Sequence, residues 1–400
     1  MSLLTEPFQD ALYVIEKIEQ AGHQAFFVGG CVRDSLLERP IGDIDITTSA
    51  KPDKIQEIFD EVIPVGIEHG TVIVRYHDVS YEVTTFRVES DYSDGRHPDS
   101  VQFIDKIDLD LARRDFTINA LAMDKYGNIL DLFKGKEDLH NGLLRTVGNG
   151  KERLKEDPLR ILRAIRFSSQ LGFKIEKDTL YAINDVKPSL EGLAVERITV
   201  ELEKLFAGKF VRLGLKYMND LGIEKHLPIL NNYQILQKLG DRIRPVHSLE
   251  EVVCLIHQTE PSIDIRTITK GWKCSNKVLN KAIILNDAIN YYKSHDLTNI
   301  LVYKLLPDLH MSFARLTEIL FTQKVNEKKL FRLKSNLVIY SKKDLAINGN
   351  DIIELFPDRK RGPWIQDIIT KIEELVVEGK IENNNSILKD WIKWNPPGVN

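Results

Sequence analysis

The sequence has few cysteines and no long apolar run. The three cysteines, Cys31, Cys254 and Cys274, are far apart, which excludes a dense disulfide framework and a Cys-x-x-Cys metal knuckle. No stretch approaches the roughly 18 apolar residues that a membrane span needs. The segment after Met1 has neither a basic start nor a small-residue cleavage site. We therefore expect a cytoplasmic protein without a membrane contact.

An excess of charge of one sign is also missing. Lys and Arg number 55 against 59 Asp and Glu, and the net charge of −4 argues against a surface coated all round by nucleic acid. A local basic surface is compatible with this balance, and local charge is what phosphate contacts need. The 400 residues are too many for one ordinary hydrophobic core, which indicates more than one domain.

The hydrophobic pattern changes near residue 140. A helical segment and several short strand-like runs precede this point, and helical periodicity dominates after it. The predicted strands cover residues 25–28, 44–47, 71–76, 81–87, 101–104, 120–123 and 129–131. The sequence predicts an α+β fold, in which a small mixed α/β head precedes an elongated all-α neck, body and tail. The expected boundaries are 1–140 for the head, 141–210 for the neck, 211–310 for the body and 311–400 for the tail.

The first motif joins a strand to a helix through Gly29 and Gly30, and the helix is predicted to begin near Val32. Two glycines let backbone N–H groups approach a phosphate closely, and a helix start adds a partial positive charge. Arg33 follows at a position from which it can clamp phosphate oxygens. A Gly-Gly pair alone is more often an ordinary turn than a binding loop.

Two carboxylates, Asp43 and Asp45, follow this motif. Residues i and i+2 of a strand share a face, and neighbouring carboxylates raise each other's pKa. Mg²⁺ takes oxygen ligands, and two such ions can activate an attacking hydroxyl and stabilise a leaving phosphate. An Asp-x-Asp sequence is also typical of a polar turn before a strand. Its spacing from Gly-Gly-x-x-Arg-Asp favours the metal site.

The second motif, at residues 111–122, places Arg113, Arg114, Asp115 and Asn119 beside an apolar stretch. Arginine suits a triphosphate because it stays charged and donates two hydrogen bonds at once. Asp and Asn side chains can accept hydrogen bonds from ribose hydroxyls. The alternative interpretation is a helix that Asp115 caps, with the arginines merely solvated.

The third motif, at residues 156–166, contains Asp157 and three arginines, Arg160, Arg163 and Arg166. Steps of three residues spread the arginines over about 120° of a helix, so they can line one cleft. An Asp accepts from an exocyclic amino group and an Arg donates to a ring acceptor, so one pair can accept C and A while rejecting U and G. The competing interpretation of Asp157 is a helix N-cap, with Pro158 as the first helical residue.

These motifs resemble the nucleotidyltransferase signature of the polymerase-β superfamily. Five successive motifs over roughly the first half of the chain resemble those of bacterial class II CCA-adding enzymes and bacterial poly(A) polymerases. The resemblance implies template-independent addition of C, C and A to the 3′ end of tRNA, from CTP and ATP with Mg²⁺ and with release of pyrophosphate. It assigns Asp43 and Asp45 to metal binding and catalysis. It assigns nucleotide binding to Gly30, Arg33, Arg114, Asp157, Arg160, Arg163 and Arg166.

Two weaker segments also resemble family motifs. Residues 91–98 resemble a loop that takes part in the switch from C to A addition, with Arg96-His-Pro98 where the family usually has Arg-Arg-Pro. Residues 194–201 resemble the last family motif, in which we interpret Glu196 and Arg197 as structural residues that hold the neck helices.

Other candidates follow from chemistry alone. Glu82 is a plausible third carboxylate for removing a proton from the primer hydroxyl, although strand glutamates more often face solvent. Basic residues in the second half are candidate contacts for the tRNA backbone. These are Lys324, Lys328, Lys329, Arg332, Lys334 and residues 359–361.

Three alternative functions stay open. An enzyme that adds only the A, and a poly(A) polymerase, would share the same motifs. A catalytically dead RNA-binding protein is the alternative from another class, and the retained acidic and basic motif residues argue against it. The sequence does not decide the oligomeric state, for which a homodimer is one alternative.

Overall fold

Eleven strands form within the part of the chain that the computed structural model describes, which comprises Leu4 and residues 6–90, 100–321, 325 and 327–396. The strands are β1 (Ala25–Val28), β2 (Asp45–Thr48), β3 (Val62–Gly66), β4 (Thr71–Tyr76), β5 (Val79–Thr85), β6 (Arg87–Ser90), β7 (Ser100–Phe103), β8 (Leu121–Met123), β9 (Ile129–Asp131), β10 (Leu143–Leu144) and β11 (Lys174–Ile175).

Seven of these strands form one sheet in the order β3-β4-β5-β2-β1-β8-β9. Strands β2 and β5 run parallel, whereas the other neighbouring pairs of this sheet are antiparallel. The parallel register places Asp45 beside Glu82. Strands β6 and β7 form a separate antiparallel pair, and β10 and β11 form a short parallel pair.

Helices occupy most of the remaining described residues. The helices up to residue 239 are α1 (Glu6–Gln20), α2 (Gly30–Leu36), α3 (Pro52–Ile58), α4 (Ile107–Ala112), α5 (Gly135–Asn141), α6 (Gly150–Glu156), α7 (Leu159–Leu171), α8 (Lys177–Val186), α9 (Val195–Phe206), α10 (Val211–Asp220) and α11 (Ile235–Leu239). The later helices are α12 (Leu249–Thr259), α13 (Ile265–Gly271), α14 (Asn276–His295), α15 (Asn299–Lys304), α16 (His310–Leu320), α17 (Glu327–Ser335), α18 (Gly349–Leu355), α19 (Trp364–Val377) and α20 (Asn385–Trp394).

The chain divides into a first unit, Met1–Lys238, and a second unit, Leu239–Asn400. All the described strands lie in the first unit, and the described part of the second unit is helical, so the predicted α+β fold class is confirmed. The division lies inside the expected body of residues 211–310. The finer division into head, neck, body and tail stays a prediction.

Close packing between helices fixes the position of α7 in the first unit. A Cβ added to Gly208 would lie 2.1 Å from Ser169 Oγ and 2.5 Å from the Ser169 carbonyl oxygen. A Cβ added to Gly214, on α10, would lie 2.8 Å from Ser169 Cβ. Because both positions lack a side chain, the chain approaches α7 closely there. Helix α7 also contains the three arginines of the third motif.

A buried carboxylate joins two helices of the second unit. Glu251 on α12 is fully buried and accepts two hydrogen bonds from Arg315 on α16, at 2.9 and 2.7 Å. Ser312 and Ser248 donate to the same carboxylate at 3.0 and 3.1 Å. A buried charge is costly unless it is paired in this way. Among the described residues, none of the helices is both long and apolar enough to cross a membrane.

Candidate active site

A cavity of about 510 Å³ lies in the first unit, between the seven-stranded sheet and helices α7 and α9. Eight arginines and four carboxylates are among its lining residues, which favours an anionic ligand. The arginines are Arg33, Arg87, Arg113, Arg114, Arg160, Arg163, Arg166 and Arg197, and the carboxylates are Asp45, Glu82, Asp115 and Asp157. The cavity brings together all the predicted site residues except Asp43, which is not among its lining residues.

The Gly-Gly turn forms one wall of the cavity. Gly29 follows β1 with φ +74° and ψ −128°, a backbone conformation that favours glycine. Helix α2 begins at Gly30, two residues earlier than predicted. A Cβ added to Gly29 would lie 3.0 Å from Nη1 of Arg114. The missing side chain therefore lets Arg114 approach the turn.

Arg33 is buried and held by neighbouring side chains. Its Nη1 donates to Asn119 Oδ1 at 2.7 Å, and its Nε and Nη2 donate to the Asp34 carboxylate at 3.1 and 2.8 Å. These bonds fix the guanidinium at the cavity wall. Its predicted contact with phosphate stays a prediction.

The predicted metal ligands lie at the start of β2. The strand begins at Asp45, so Asp43 lies in the preceding loop and not on the strand face that the spacing predicted. Burial raises the pKa of Asp45 to about 6, and the carboxylates of Glu82 and Asp43 add to this rise while Arg114 opposes it. Two further acidic side chains therefore act on Asp45, which lines the cavity.

This donor set fits a cation that is shared with a substrate. Within the described residues, no group of three or more His, Cys, Asp or Glu side chains is arranged to hold a metal ion by itself. Mg²⁺ is usually held by one or two carboxylates together with substrate phosphates and water. A cation bound there would relieve the electrostatic repulsion that the Glu82 and Asp43 carboxylates exert on Asp45.

Asp115 is a buried ionic partner and not a helix cap. It is 7% exposed, its Oδ2 pairs with Arg163 at 2.6 Å, and its Oδ1 accepts from Asn119 Nδ2 at 3.1 Å. Although burial opposes ionisation, Arg163 and the Asn119 hydrogen bond hold the pKa of Asp115 well below its usual range. The alternative of a capped helix with solvated arginines is therefore wrong.

Asp157 lies where α6 ends and α7 begins. Its Oδ1 accepts the Leu159 N–H at 3.1 Å, and its Oδ2 pairs with Arg197 at 2.8 Å. The helix begins at Leu159 with Pro158 as its N-cap, one residue later than predicted, and the Asp157 side chain accepts the N–H of this first helical residue. Arg197, which we interpreted as structural, thus joins α9 to Asp157 and also lines the cavity.

Arg160 contacts the main chain on two sides. Its Nη1 donates to the Arg153 carbonyl at 2.7 Å and to Glu156 at 2.8 Å, and its Nη2 donates to the Arg113 carbonyl at 3.2 Å. These contacts orient the guanidinium along the cavity wall. Both predicted base readers therefore line one cavity, and their roles stay predictions.

A buried phenylalanine lies among three of the predicted arginines. The guanidinium carbons of Arg33, Arg163 and Arg166 are 5.2, 5.6 and 4.2 Å from the ring centroid of Phe167. Distances below about 6 Å are typical of cation–π contacts. Arg166 also pairs with Glu201 at 2.7 Å, and burial lowers the pKa of Arg166 to about 10.

Sequence reasoning missed Phe167, which lines the cavity, and Asp110, which pairs with two of the cavity arginines. Phe167 directly follows the arginine series, and an aromatic residue at that position was the available signal. Asp110 is fully buried and pairs with Arg113 at 2.9 Å and Arg114 at 3.6 Å. Its separation by three and four residues from the two arginines was the available signal.

Two predicted elements lie outside the described residues. They are the loop with Arg96-His-Pro98, within residues 91–99, and Lys324.

Three family profiles match successive parts of the chain. Residues 25–145 match the poly A polymerase head domain. Residues 172–234 match a family described as "Probable RNA and SrmB- binding site of polymerase A". Residues 247–392 match a family described as tRNA nucleotidyltransferase domain 2.

Similar proteins match over nearly the whole chain. The CCA-adding enzyme of Oceanobacillus iheyensis is 45% identical over 100% of both chains. The CCA-adding enzyme of Bacillus cereus is 39% identical over 97% of this chain and 98% of its own. The crystal structure of the Bacillus stearothermophilus CCA-adding enzyme in complex with CTP superposes with a TM-score of 0.87, at 36% identity and 98% coverage of both chains.

Proposed function

This chain belongs to the family of CCA-adding enzymes, which are tRNA nucleotidyltransferases, and on that basis we propose that it adds C, C and A to the 3′ end of tRNA from CTP and ATP. One observation supports this assignment best. The cavity combines the carboxylates of Asp45 and Glu82 with eight arginines and with both predicted base readers. A nucleoside triphosphate presents the matching groups, which are a polyanion, a ribose and a base edge.

Asp45, with Asp43 and Glu82 beside it, supplies the carboxylates that would hold Mg²⁺. When bound, this ion supplies stabilisation of negative charge on the phosphates and on the attacking oxygen. Glu82 lies in register with Asp45 on the neighbouring parallel strand and lines the cavity. We therefore include Glu82 as the third carboxylate of the site.

The arginines neutralise the triphosphate. Arg114 lies against the Gly29 turn on the side of Asp45, where the phosphates must pass to reach the carboxylates. Guanidinium groups bind phosphate oxygens in pairs and stay charged at neutral pH. In the reaction, the 3′-hydroxyl oxygen of the tRNA forms a bond to the α-phosphorus, and the bond to pyrophosphate breaks.

Asp157 and Arg160 select the base in this proposal. The Asp157 carboxylate accepts from the exocyclic amino group that C and A share, and the Arg160 guanidinium donates to the ring acceptor beside it. Arg197 holds Asp157, and the Arg153 and Arg113 carbonyls hold Arg160. Because the protein fixes both groups, no nucleic-acid template is needed to read C and A.

The second unit supplies a candidate tRNA contact. Helix α17 contains Lys328, Lys329, Arg332 and Lys334, and Phe331 between them is 52% exposed. Cations contact the phosphate backbone, and exposed aromatic rings can stack on unpaired bases. We propose the cytoplasm as the compartment, since the substrate is tRNA.

Product sizing after incubation with tRNA that lacks CCA tests the proposal. The purified protein is given Mg²⁺ with CTP alone, with ATP alone, or with both. We expect two nucleotides with CTP alone and three with both. One A added only to tRNA that ends in CC would indicate an A-adding enzyme, and long products with ATP would indicate poly(A) synthesis. An absence of extension on any primer would contradict catalysis.

A further inference from the structure

A fully buried carboxylate, Asp110, lies next to two arginines of the cavity without lining the cavity itself. It belongs to α4 and has 0% of its surface exposed. A buried charge costs free energy unless nearby groups pair with it. The groups that pair with Asp110 therefore indicate its role.

Its partners are the two arginines of the second motif and one backbone N–H of β6. Oδ1 accepts from Arg113 Nε at 3.0 Å and from the Arg87 N–H at 3.3 Å. Arg113 Nη2 lies 2.9 Å from Oδ1, and Arg114 Nη2 lies 3.6 Å from Oδ2. One carboxylate thus holds both arginines and the first residue of β6.

Asp110 also lies beside the strand that begins with Asp45. Thr47 Oγ1, on β2, is 3.5 Å from Oδ2 of Asp110. The same hydroxyl is closer to the Thr84 carbonyl oxygen, at 3.1 Å, so its contact with Asp110 is the weaker of the two. The carboxylate is therefore packed against β2, and it places the arginines relative to that strand.

Arg114 depends on this placement. Its Nε is buried and has no hydrogen-bond partner within the described residues, and its Nη1 faces the Gly29 turn. The opposite charges of Asp110, Asp115 and Asp45 act on it, with Asp110 contributing most. An arginine side chain has many rotamers and loses conformational entropy when a ligand orders it. An ion pair that restricts these rotamers before the ligand binds reduces that loss.

We propose that Asp110 is a positioning residue for triphosphate binding, which holds Arg114 between the Gly29-Gly30 turn and Asp45. The inference rests on the proposed function, since it assigns the ligand of Arg114 as the triphosphate of CTP or ATP. Asp110 does not touch the nucleotide. It acts through Arg114, and Arg113 shares its carboxylate.

The test compares the affinity of the full chain for CTP and for CMP, with Mg²⁺ present. Asp110→Asn keeps the shape of the side chain and removes its charge. We expect it to weaken CTP binding about tenfold, because the ion pair that restricts Arg114 before binding is lost, and to leave CMP binding within about twofold. The preference for CTP over CMP therefore falls.

Asp138→Asn is the matched control. Asp138 is also a buried carboxylate of the first unit, at 3% exposure, and it pairs with Arg145 Nε at 3.1 Å and with Thr117 Oγ1 at 2.7 Å. It does not line the cavity. We expect a loss of stability and an unchanged preference for CTP over CMP.

A double-mutant cycle tests whether the effect passes through Arg114. In an Arg114→Ala background, Asp110→Asn should cause little further loss of CTP affinity. Equal losses in the two backgrounds, or a CTP preference that Asp110→Asn leaves intact, would overturn the inference alone. A wild-type protein with no preference for CTP over CMP would overturn the proposed function and the inference together.

If Asp110→Asn does not fold, a double variant tests the inference in its place. Asp110→Asn combined with Arg113→Gln removes the carboxylate charge together with one of the two cations that pair with it, so the net charge at this position is preserved. We expect the double variant to fold and to show the same fall in CTP preference relative to Arg113→Gln alone. An unchanged preference would overturn the inference.

Discussion

At the scale of single residues, Asp45 combines a proposed role in metal binding with a cost in stability. Its pKa of about 6 in the folded chain lies above the ordinary value of 3.8, so folding favours the protonated form. Without a bound cation, the folded state loses stability as pH rises from about 4 through about 6, because Asp45 must ionise where it is buried and beside Glu82. The loss amounts to at most about 3 kcal/mol.

We predict that Asp45→Asn abolishes nucleotide addition and stabilises the metal-free chain. The gain in free energy of unfolding should be about 1–3 kcal/mol at pH 8 and smaller at pH 5, since wild-type Asp45 is mostly protonated there. Denaturant unfolding in EDTA at both pH values measures it. Asp60→Asn, at an exposed position, is the control. Undiminished turnover of Asp45→Asn would contradict the metal assignment.

Arg160 is predicted to determine base choice and to support its own helix. Arg160→Ala should lower discrimination against UTP and GTP by about tenfold or more, because one base-edge contact is lost. Stability should also fall, since the guanidinium bonds two carbonyls. Single-turnover incorporation of each nucleotide tests this, with Arg39→Ala as the control. Continued rejection of UTP and GTP would count against the assignment.

Residues that short sequence spacing identifies could be predicted to lie close together. The Gly-Gly turn, Arg33, Arg114 and the series on α7 all line one cavity, because strand-to-helix turns and helical periodicity operate over a few residues. Asp110 and Phe167 had a local signal in their spacing from the arginines, but the contact of Asp110 with Thr47 on β2 and that of Phe167 with Arg33 on α2 depend on how distant elements pack.

At the scale of elements, the packing at Gly208 is expected to limit substitution. In Gly208→Ala, the new Cβ would lie 2.5 Å from the Ser169 carbonyl oxygen, so α7 must shift. We predict a loss of about 1–3 kcal/mol in the free energy of unfolding. Gly192→Ala, where nothing lies within 4 Å, is the control. Equal stability of the two variants in denaturant unfolding would contradict the packing argument.

Three strands show where the sequence pattern is enough to predict the bounds of an element. Residues 25–28, 71–76 and 129–131 form strands with the predicted bounds, because alternation and flanking turn residues agree there. Strand β3 was missed because Pro64 interrupts its pattern. A proline is tolerated there because β3 is the edge of the sheet, where one side of the strand needs no ladder hydrogen bonds.

At the scale of the whole molecule, the two units divide the expected tasks. We predict that replacing Lys328, Lys329 and Arg332 with Ala raises the KM for tRNA severalfold and leaves the affinity for CTP unchanged, because backbone contacts are electrostatic. The effect should shrink at high salt. Lys293→Ala with Lys343→Ala and Lys371→Ala, at three exposed positions of the second unit, controls for net charge. An equal rise in the control would show that α17 has no special role.

The cations that line the cavity are all arginines; no lysine is among the described lining residues. Acyl donors and other amine-directed reagents modify lysine side chains, whereas a guanidinium resists them at neutral pH. Lysine acetylation would therefore leave the nucleotide site intact. On α17 it would remove charges, so such a modification is expected to weaken the proposed tRNA contact without blocking the chemistry.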